Sequence, residues 1–389
     1  MIHPTYPCAC FATAALVCSS ITASAQEPAI SSVKRIGNDV ELKFTGTAGV
    51  EYILQKSETL EQRSWLPTGV TVTGTGAEQT VLVPGAGTPG RNFLRFSYTF
   101  DPVPSGYVRI PSGSFIMGDQ NVPYEGLLKE RPPITTQTGA FHLKATEVTK
   151  AEWDSTFTWA VANEYTFSNS AGAGKGPDHP VTNVNWYDVI KWCNAKSEQE
   201  GRQPCYTLRG SDGRHTVYRT GSPTRIIWEF GANGYRLPCE AEWEKAARGG
   251  VVGRRFPSGT TIDHSVANFF ASRSNYAYDT TGIDGMHPTY VTGAIPYTAP
   301  VASFPPNPYG LYDMDANVRE YCWDTSTSDW SEGYVVKAES SSSLFPRAVR
   351  GGDWSSSAFQ CRSSYRSQEF PDTGKKNYLG FRLVKGPLN

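Results

Sequence analysis

The segment GGDWSSSAFQCRSSYR, residues 351–366, sets one cysteine among serines, a tryptophan and two arginines. A thiol there has two chemical uses, as a thiolate nucleophile or as a soft metal ligand. It has two structural ones, as a buried thiol or as half of a disulfide, with Arg362 and Arg366 bracing loop carbonyls and carboxylates. A second stretch, YDMDANVRE (312–320), is a tight loop rich in Asp and Asn, the composition that supplies oxygens to a hard cation such as calcium. Its acids, Asp313 and Glu320, could equally pair with Arg319, Arg350 or Arg382. Phosphate loops (GxxxxGK[ST]), HExxH, GxSxG and paired CxxC motifs are all missing, and six separated histidines offer no zinc site.

The chain of 389 residues has 36 Lys plus Arg against 37 Asp plus Glu, so no broad basic surface for nucleic acid is implied. Residues 8–22 form an apolar run followed by Ala23-Ser24-Ala25, the small-residue pattern of a signal peptidase site, which predicts a signal peptide over 1–25 and Gln26 as the first mature residue. The run is too short to span a bilayer, so the mature chain is expected to be secreted or periplasmic, without a transmembrane segment. Export would remove Cys8, Cys10 and Cys18 from the eight cysteines and leave five: Cys193, Cys205, Cys239, Cys322 and Cys361. An odd number leaves at least one thiol without an intrachain partner.

Residues 28–101 read as a small β-sandwich-like module of about five strands, with Gly and Pro punctuation, alternation at Val40, Leu42 and Phe44, and Tyr52 and Trp65 as core aromatics. A Pro-rich linker, Asp101 to Gly106, marks a boundary. Beyond it, irregular sequence rich in Gly, Pro, Trp and Tyr carries three predicted helices. Thr149 with Glu152 forms a capping box ahead of the first; Asn185 caps the second, which ends at Gly201; Cys239 stands at the cap of the third, which stops at Gly249-Gly250. Trp153, Trp186, Trp243 and Trp323 are expected in the core, and Trp354 and Tyr365, beside Cys361, in a cleft.

The phrases GSFIMGD, FHLKATEVTKAEW, HPVTNVNWYDVIKWCN, GYRLPCEAEWEKAARGG, PNPYGLYDMDANVREYCWD, RGGDWSSSAFQCRSSYR and LGFRLV, in this order, resemble the formylglycine-generating enzyme, or sulfatase-modifying factor, family across about residues 105–387. The resemblance implies an α+β, C-type-lectin-like fold with low regular secondary structure, added to the small N-terminal all-β domain. It also implies an oxidase that converts a sulfatase cysteine to formylglycine with oxygen and a copper ion held by two cysteines. Mapped onto this chain, the second of those cysteines is Cys361 and the first is Ser356; a hydroxyl does not replace a soft thiolate for Cu(I). Asp353 and Arg319 replace a family serine and tryptophan, which puts charge into the oxygen pocket.

One calcium site of the family maps to Asp313, Ala316, Val318 and Glu320; a second maps to Asn268 and Phe269, with its remaining ligands near Gly293 and Ile295, where Asp279 or Asp284 could substitute. Three readings follow. The first is an exported family member without the copper pair, serving a binding, scaffold or unassigned role. The second is a divergent copper oxidase acting on an exported protein or sulfatase peptide, with Cys239 or Cys322 as the missing ligand. The third is a calcium-dependent, lectin-like module for a glycan.

Overall fold

The structure is a computed structural model. It describes residues 8–10, 15–17, 28–46, 51–57, 66–86, 93–98, 103–121, 123–168, 172–326, 345–372 and 376–385. Most of the predicted signal peptide, the Ala23-Ser24-Ala25 site and Trp65 lie outside them. The stretches Cys8–Cys10 and Ala15–Val17 are extended and pair with each other, and the first also pairs with Phe93–Tyr98. Among the described residues no helix is long and apolar enough to cross a membrane.

The chain divides into two compact units, Met1–Pro102 with Asn389, and Val103–Leu388. In the first unit, Ala29–Ile36, Asp39–Thr45 and Glu78–Val83 form one antiparallel sheet. Glu51–Ser57 lies between Leu66–Thr73 and Phe93–Tyr98 in another. Gly37 adopts φ 63° in the two-residue turn that pairs Ile36 with Asp39, and a positive φ at the first turn position suits the right-handed twist of a hairpin. Alternation then sends Val40, Leu42 and Phe44 inward, where they meet Tyr52, Leu54 and Phe96 from the other sheet.

Among the described residues the second unit has three α-helices: α1 (Lys150–Ala162), α2 (Trp186–Gln199) and α3 (Glu240–Arg248). Each starts where a side chain satisfies free backbone N–H groups. Thr149 Oγ1 accepts from Glu152 N at 3.2 Å while the Glu152 carboxylate accepts from Thr149 N at 2.8 Å, and Asn185 Oδ1 accepts from Asp188 N at 2.8 Å. At α3 the Cys239 side chain caps nothing; the Glu242 carboxylate takes the Cys239 N–H at 2.9 Å instead. Trp153 and Trp192 stack with ring centres 5.7 Å apart and bind α1 to α2, while Trp186 and Trp323 tie α2 to the strand Arg319–Thr325. Trp153, Trp186, Trp243 and Trp323 are all buried.

Two four-stranded sheets frame the rest. One joins Tyr235–Arg236, Val384–Lys385, Phe141–Lys144 and Tyr107–Ile110. The other joins Ser367–Glu369, Arg347–Arg350, Arg319–Thr325 and Leu379–Gly380, the last pair running parallel. Long ordered loops fill the space between, held by buried ion pairs. Arg362 pairs with Glu130 at 2.9 Å and Arg366 with Glu240 at 2.7 Å, so the two arginines beside Cys361 pin distant loops rather than face solvent.

Candidate functional site

The segment 351–366 turns back from the strand Arg347–Arg350 through Gly351 (φ 96°) and Gly352 (φ 75°). A Cβ on Gly352 would sit 2.9 Å from Cys361 Sγ, so only glycine lets this turn close over the thiol. Cys361 is fully buried among Phe256, Ile262, Ala267, Phe269, Ala271, Ala316 and Ala358, and its Sγ donates to Ser357 O at 3.4 Å. Burial pushes its thiol pKa well above the ordinary value, with the neighbouring Asp315 and Asp353 adding to the rise. A thiol in such surroundings stays protonated and is a poor nucleophile.

Nor does another sulfur join it. Cys193, Cys205 and Cys239 belong to the main aromatic core and Cys322 to the cluster around Trp243, and these four and Cys361 are all free thiols. The expectation of Cys239 or Cys322 as partner of Cys361 therefore has no geometric basis: packing distributes the sulfurs over separate clusters. Ser356, at the mapped position of the first copper cysteine, is committed elsewhere. Its Oγ donates to Asp353 Oδ2 at 2.7 Å and accepts from Arg319 Nη2 at 3.1 Å.

Asp353 is fully buried, and Arg319 Nε reaches its Oδ2 at 2.6 Å. Ser355 N and Oγ donate to the other oxygen at 2.7 and 2.5 Å. Arg319, Asp353 and Ser356 thus form a closed ionic network beside the lone thiol, with the guanidinium 5.1 Å from the ring centre of Tyr378. One thiol, one bonded hydroxyl and a buried ion pair do not suit Cu(I), which prefers two soft thiolates.

The two aromatics assigned to a cleft behave differently. Trp354 is buried, its Nε1 donating to Asn377 O at 3.2 Å and its ring edge-on to Tyr297. It is a wall behind the surface rather than part of it. Tyr365 is half-buried against Phe359.

Of the residues mapped to the first calcium site, Glu320 is the alternative partner of Arg382: both its oxygens are taken at 2.7 Å, and Trp243 Nε1 also donates to Oε2 at 2.7 Å. Its carboxylate is already fully employed. Glu147, from the loop ahead of α1, also approaches Asp313, with Glu320 close enough to act electrostatically on both, and sequence reasoning assigned Glu147 no role. Asp313 Oδ2 accepts from Ala302 N at 2.6 Å and Glu147 Oε1 from Asn317 Nδ2 at 3.2 Å. Asp313 Oδ1 and Glu147 Oε2 are buried without a donor from any other described residue.

Burial raises both acids, Asp313 to about 6 and Glu147 well above its ordinary value; the charge of Asp313 adds to the rise at Glu147, while a hydrogen bond from Glu147 and the nearby Arg382 temper the rise at Asp313. Asp313, Ala316 and Asn317 all hold positive φ (54°, 70° and 61°). Left-handed conformation at three non-glycine residues costs about 1–3 kcal/mol each and tends to mark functional loops. Two unpartnered carboxylate oxygens, one from this strained loop and one from the loop ahead of α1, are the hard donors a calcium ion takes. Asp313 and Glu147 would hold it together with the Ala316 and Val318 carbonyls, and its charge would offset the repulsion between the acids.

The residues mapped to the second calcium site make contacts within the loops around them. Asn268 Nδ2 donates to Tyr297 O at 2.9 Å, and the Phe269 carbonyl lies 3.1 Å from His264 Nε2. Asp279 accepts from Ser272 N and Thr281 N, and Asp284 from Arg273 N. Ile295 is exposed and Gly293 adopts φ 67°.

A cavity of about 720 Å³ opens beside the ionic network, lined in part by Lys175, Asn183, Ile295, Pro296, Lys376 and Tyr378. Asn377, whose carbonyl holds Trp354, also lines it. Apart from Ile295, named near the second calcium site, none of these positions was singled out by sequence reasoning, because they come from three separate loops.

Three helices, short sheets and long pinned loops around a copper-family position define an α+β fold of the formylglycine-generating enzyme type. The chain matches the sulfatase-modifying factor enzyme 1-like domain over residues 99–387 and belongs to that family. It is 30% identical to the formylglycine-generating enzyme of Streptomyces coelicolor over 303 residues, covering 72% of this chain and 88% of that one. It is 34% identical over 224 residues to the serine/threonine-protein kinase pkn1 of Chlamydia pneumoniae, covering 53% of this chain and only 32% of the kinase, so the chain spans about a third of that relative. Among solved structures it resembles CarF (28% identity, TM-score 0.53, 74% of this chain and all of that one). It also resembles Treponema denticola variable protein 1 (27% identity, TM-score 0.52, 72% of this chain and 95% of that one).

Proposed function

We propose that this chain is an exported, secreted or periplasmic family member that uses the scaffold for binding and not for copper-dependent cysteine oxidation. The observation that carries the reading is the Arg319–Asp353–Ser356 network beside a solitary, buried Cys361. A fold alone does not imply an activity, and this donor set offers one protonated thiol where the oxidase chemistry needs two thiolates. Calcium is part of the proposal, held at Asp313 and Glu147 as a structural ion; a glycan or an exported protein segment, a sulfatase peptide included, is the partner class.

The test is titration of the purified chain with Cu(I), for wild type and Cys361→Ser. No stoichiometric copper, or equal binding by both proteins, is expected. Tight copper binding that Cys361→Ser abolishes, together with formylglycine in a coexpressed sulfatase peptide, would establish the oxidase instead. N-terminal sequencing of the exported protein checks the leader, with Gln26 expected first.

A further inference from the structure

We infer that the cavity formed by Lys175, Asn183, Lys376 and Tyr378 is a recognition site for a saccharide-sized ligand bearing an oxyanion: a sulfate, phosphate or carboxylate group. The inference rests on the binding reading above and names the ligand class. The volume, about 720 Å³, lies in the range of small-molecule sites and is far larger than a bare ion needs.

Charge gives the cavity its selectivity. Among the described residues it is lined by two lysines and no acid. Lys175 is held in place by donating Nζ to Tyr290 O at 2.9 Å and Thr292 O at 2.8 Å, beside the Tyr297 ring. Carbonyls fix the ammonium without neutralising it, and two of its three donors are used, which leaves one for a ligand. Asp178, three residues on, is exposed and makes no ion pair with it.

Lys376 is half-buried, with its Nζ 5.9 Å from the centre of the Tyr378 ring and no carboxylate partner among the described residues. Behind that wall, Glu369 accepts the Tyr378 hydroxyl at 3.1 Å. Asp353 is paired with Arg319 behind the same ring. Two unneutralised ammonium groups in a walled concavity focus a positive potential on one place.

The remaining surface suits a compact organic body. Ile295, Pro296 and Ala173 form an apolar side, Tyr378 adds an aromatic wall, and the Asn183 amide adds hydrogen-bonding capacity. The Tyr378 ring is itself rigid, since Arg319 lies against it and Glu369 fixes its hydroxyl. The position of the copper cysteines in the family has thus become, in this chain, the support for a binding wall.

The experiment is isothermal titration calorimetry of the full chain with N-acetylglucosamine 6-sulfate, glucose 6-phosphate and galacturonate, against neutral N-acetylglucosamine and galactose. Wild type, Lys175→Met, Lys376→Met and the double variant are compared after thermal melts confirm folding. At least tenfold tighter binding of one or more anionic probes is expected, with each methionine weakening it several-fold, the double variant abolishing the preference, and added salt weakening binding. If neutral and anionic sugars bind alike, if no probe binds, or if the double variant retains the preference, the inference is overturned. Those outcomes leave the binding reading intact when no copper binds at Cys361; copper binding there with peptide oxidation overturns that reading while the sugar data still decide the pocket.

Discussion

Replacing Asp315 by Asn should remove a pH-dependent loss of stability that the wild-type fold carries. Asp315 is buried, with Oδ2 accepting the Ser258 N–H at 2.7 Å and Oδ1 without a partner. Burial pushes its pKa up to about 7, against the partial relief of Ser258 and Arg254. In the unfolded chain an aspartate titrates near 3.9. Below about pH 4 both states hold the proton and the group costs nothing; between about 4 and 7 only the unfolded state releases it, so stability falls with rising pH; above 7 both are ionised and the loss is complete.

Three pKa units at about 1.4 kcal/mol each set the loss at about 4 kcal/mol, an upper figure because the buried site relaxes on ionisation. Asparagine keeps an oxygen for Ser258 N–H and never ionises. Its own buried amide costs about 1–3 kcal/mol at every pH. Urea unfolding at pH 4.5, 6 and 8, followed by tryptophan fluorescence, should show wild type losing about 2–4 kcal/mol relative to the variant from the lowest pH to the highest. Parallel profiles, with the difference constant within about 0.5 kcal/mol, would refute the reasoning.

Arg319→Met leaves Asp353 buried and unpaired, and should cost about 3 kcal/mol by urea unfolding; adding Asp353→Asn should recover most of that, whereas additive losses would mean the pair is not coupled. Calcium affinity, measured by calorimetry, should rise between pH 5.5 and 7.5 with proton uptake by the buffer, because Asp313 and Glu147 must release protons to bind. Glu147→Gln should weaken that binding at least tenfold while Glu320→Gln acts mainly on stability through Arg382; the reverse order would return the ligand role to Glu320.

Much of this protein is written locally. Thr149 and Asn185 start helices because their side chains reach N–H groups within three residues, and Gly37 allows a turn that its own φ decides. Val40, Leu42 and Phe44 go inward because strand side chains alternate. The family phrases, and the serine standing where a thiolate would be needed, are likewise visible without coordinates.

The tertiary structure decided which charges meet. Glu147 and Asp313 are 166 positions apart and face each other only when the loop ahead of α1 packs on the 313–320 loop; Glu320 is claimed by Arg382, 62 residues away. Lys175, Lys376 and Tyr378 share a cavity although no local signal connects them. Periodicity and capping act over one turn or one strand, whereas ion pairing and cavity shape depend on distances between remote loops. The sequence by itself therefore determined the elements and the missing copper thiol, and only folding determined the buried acid pair and the positive pocket.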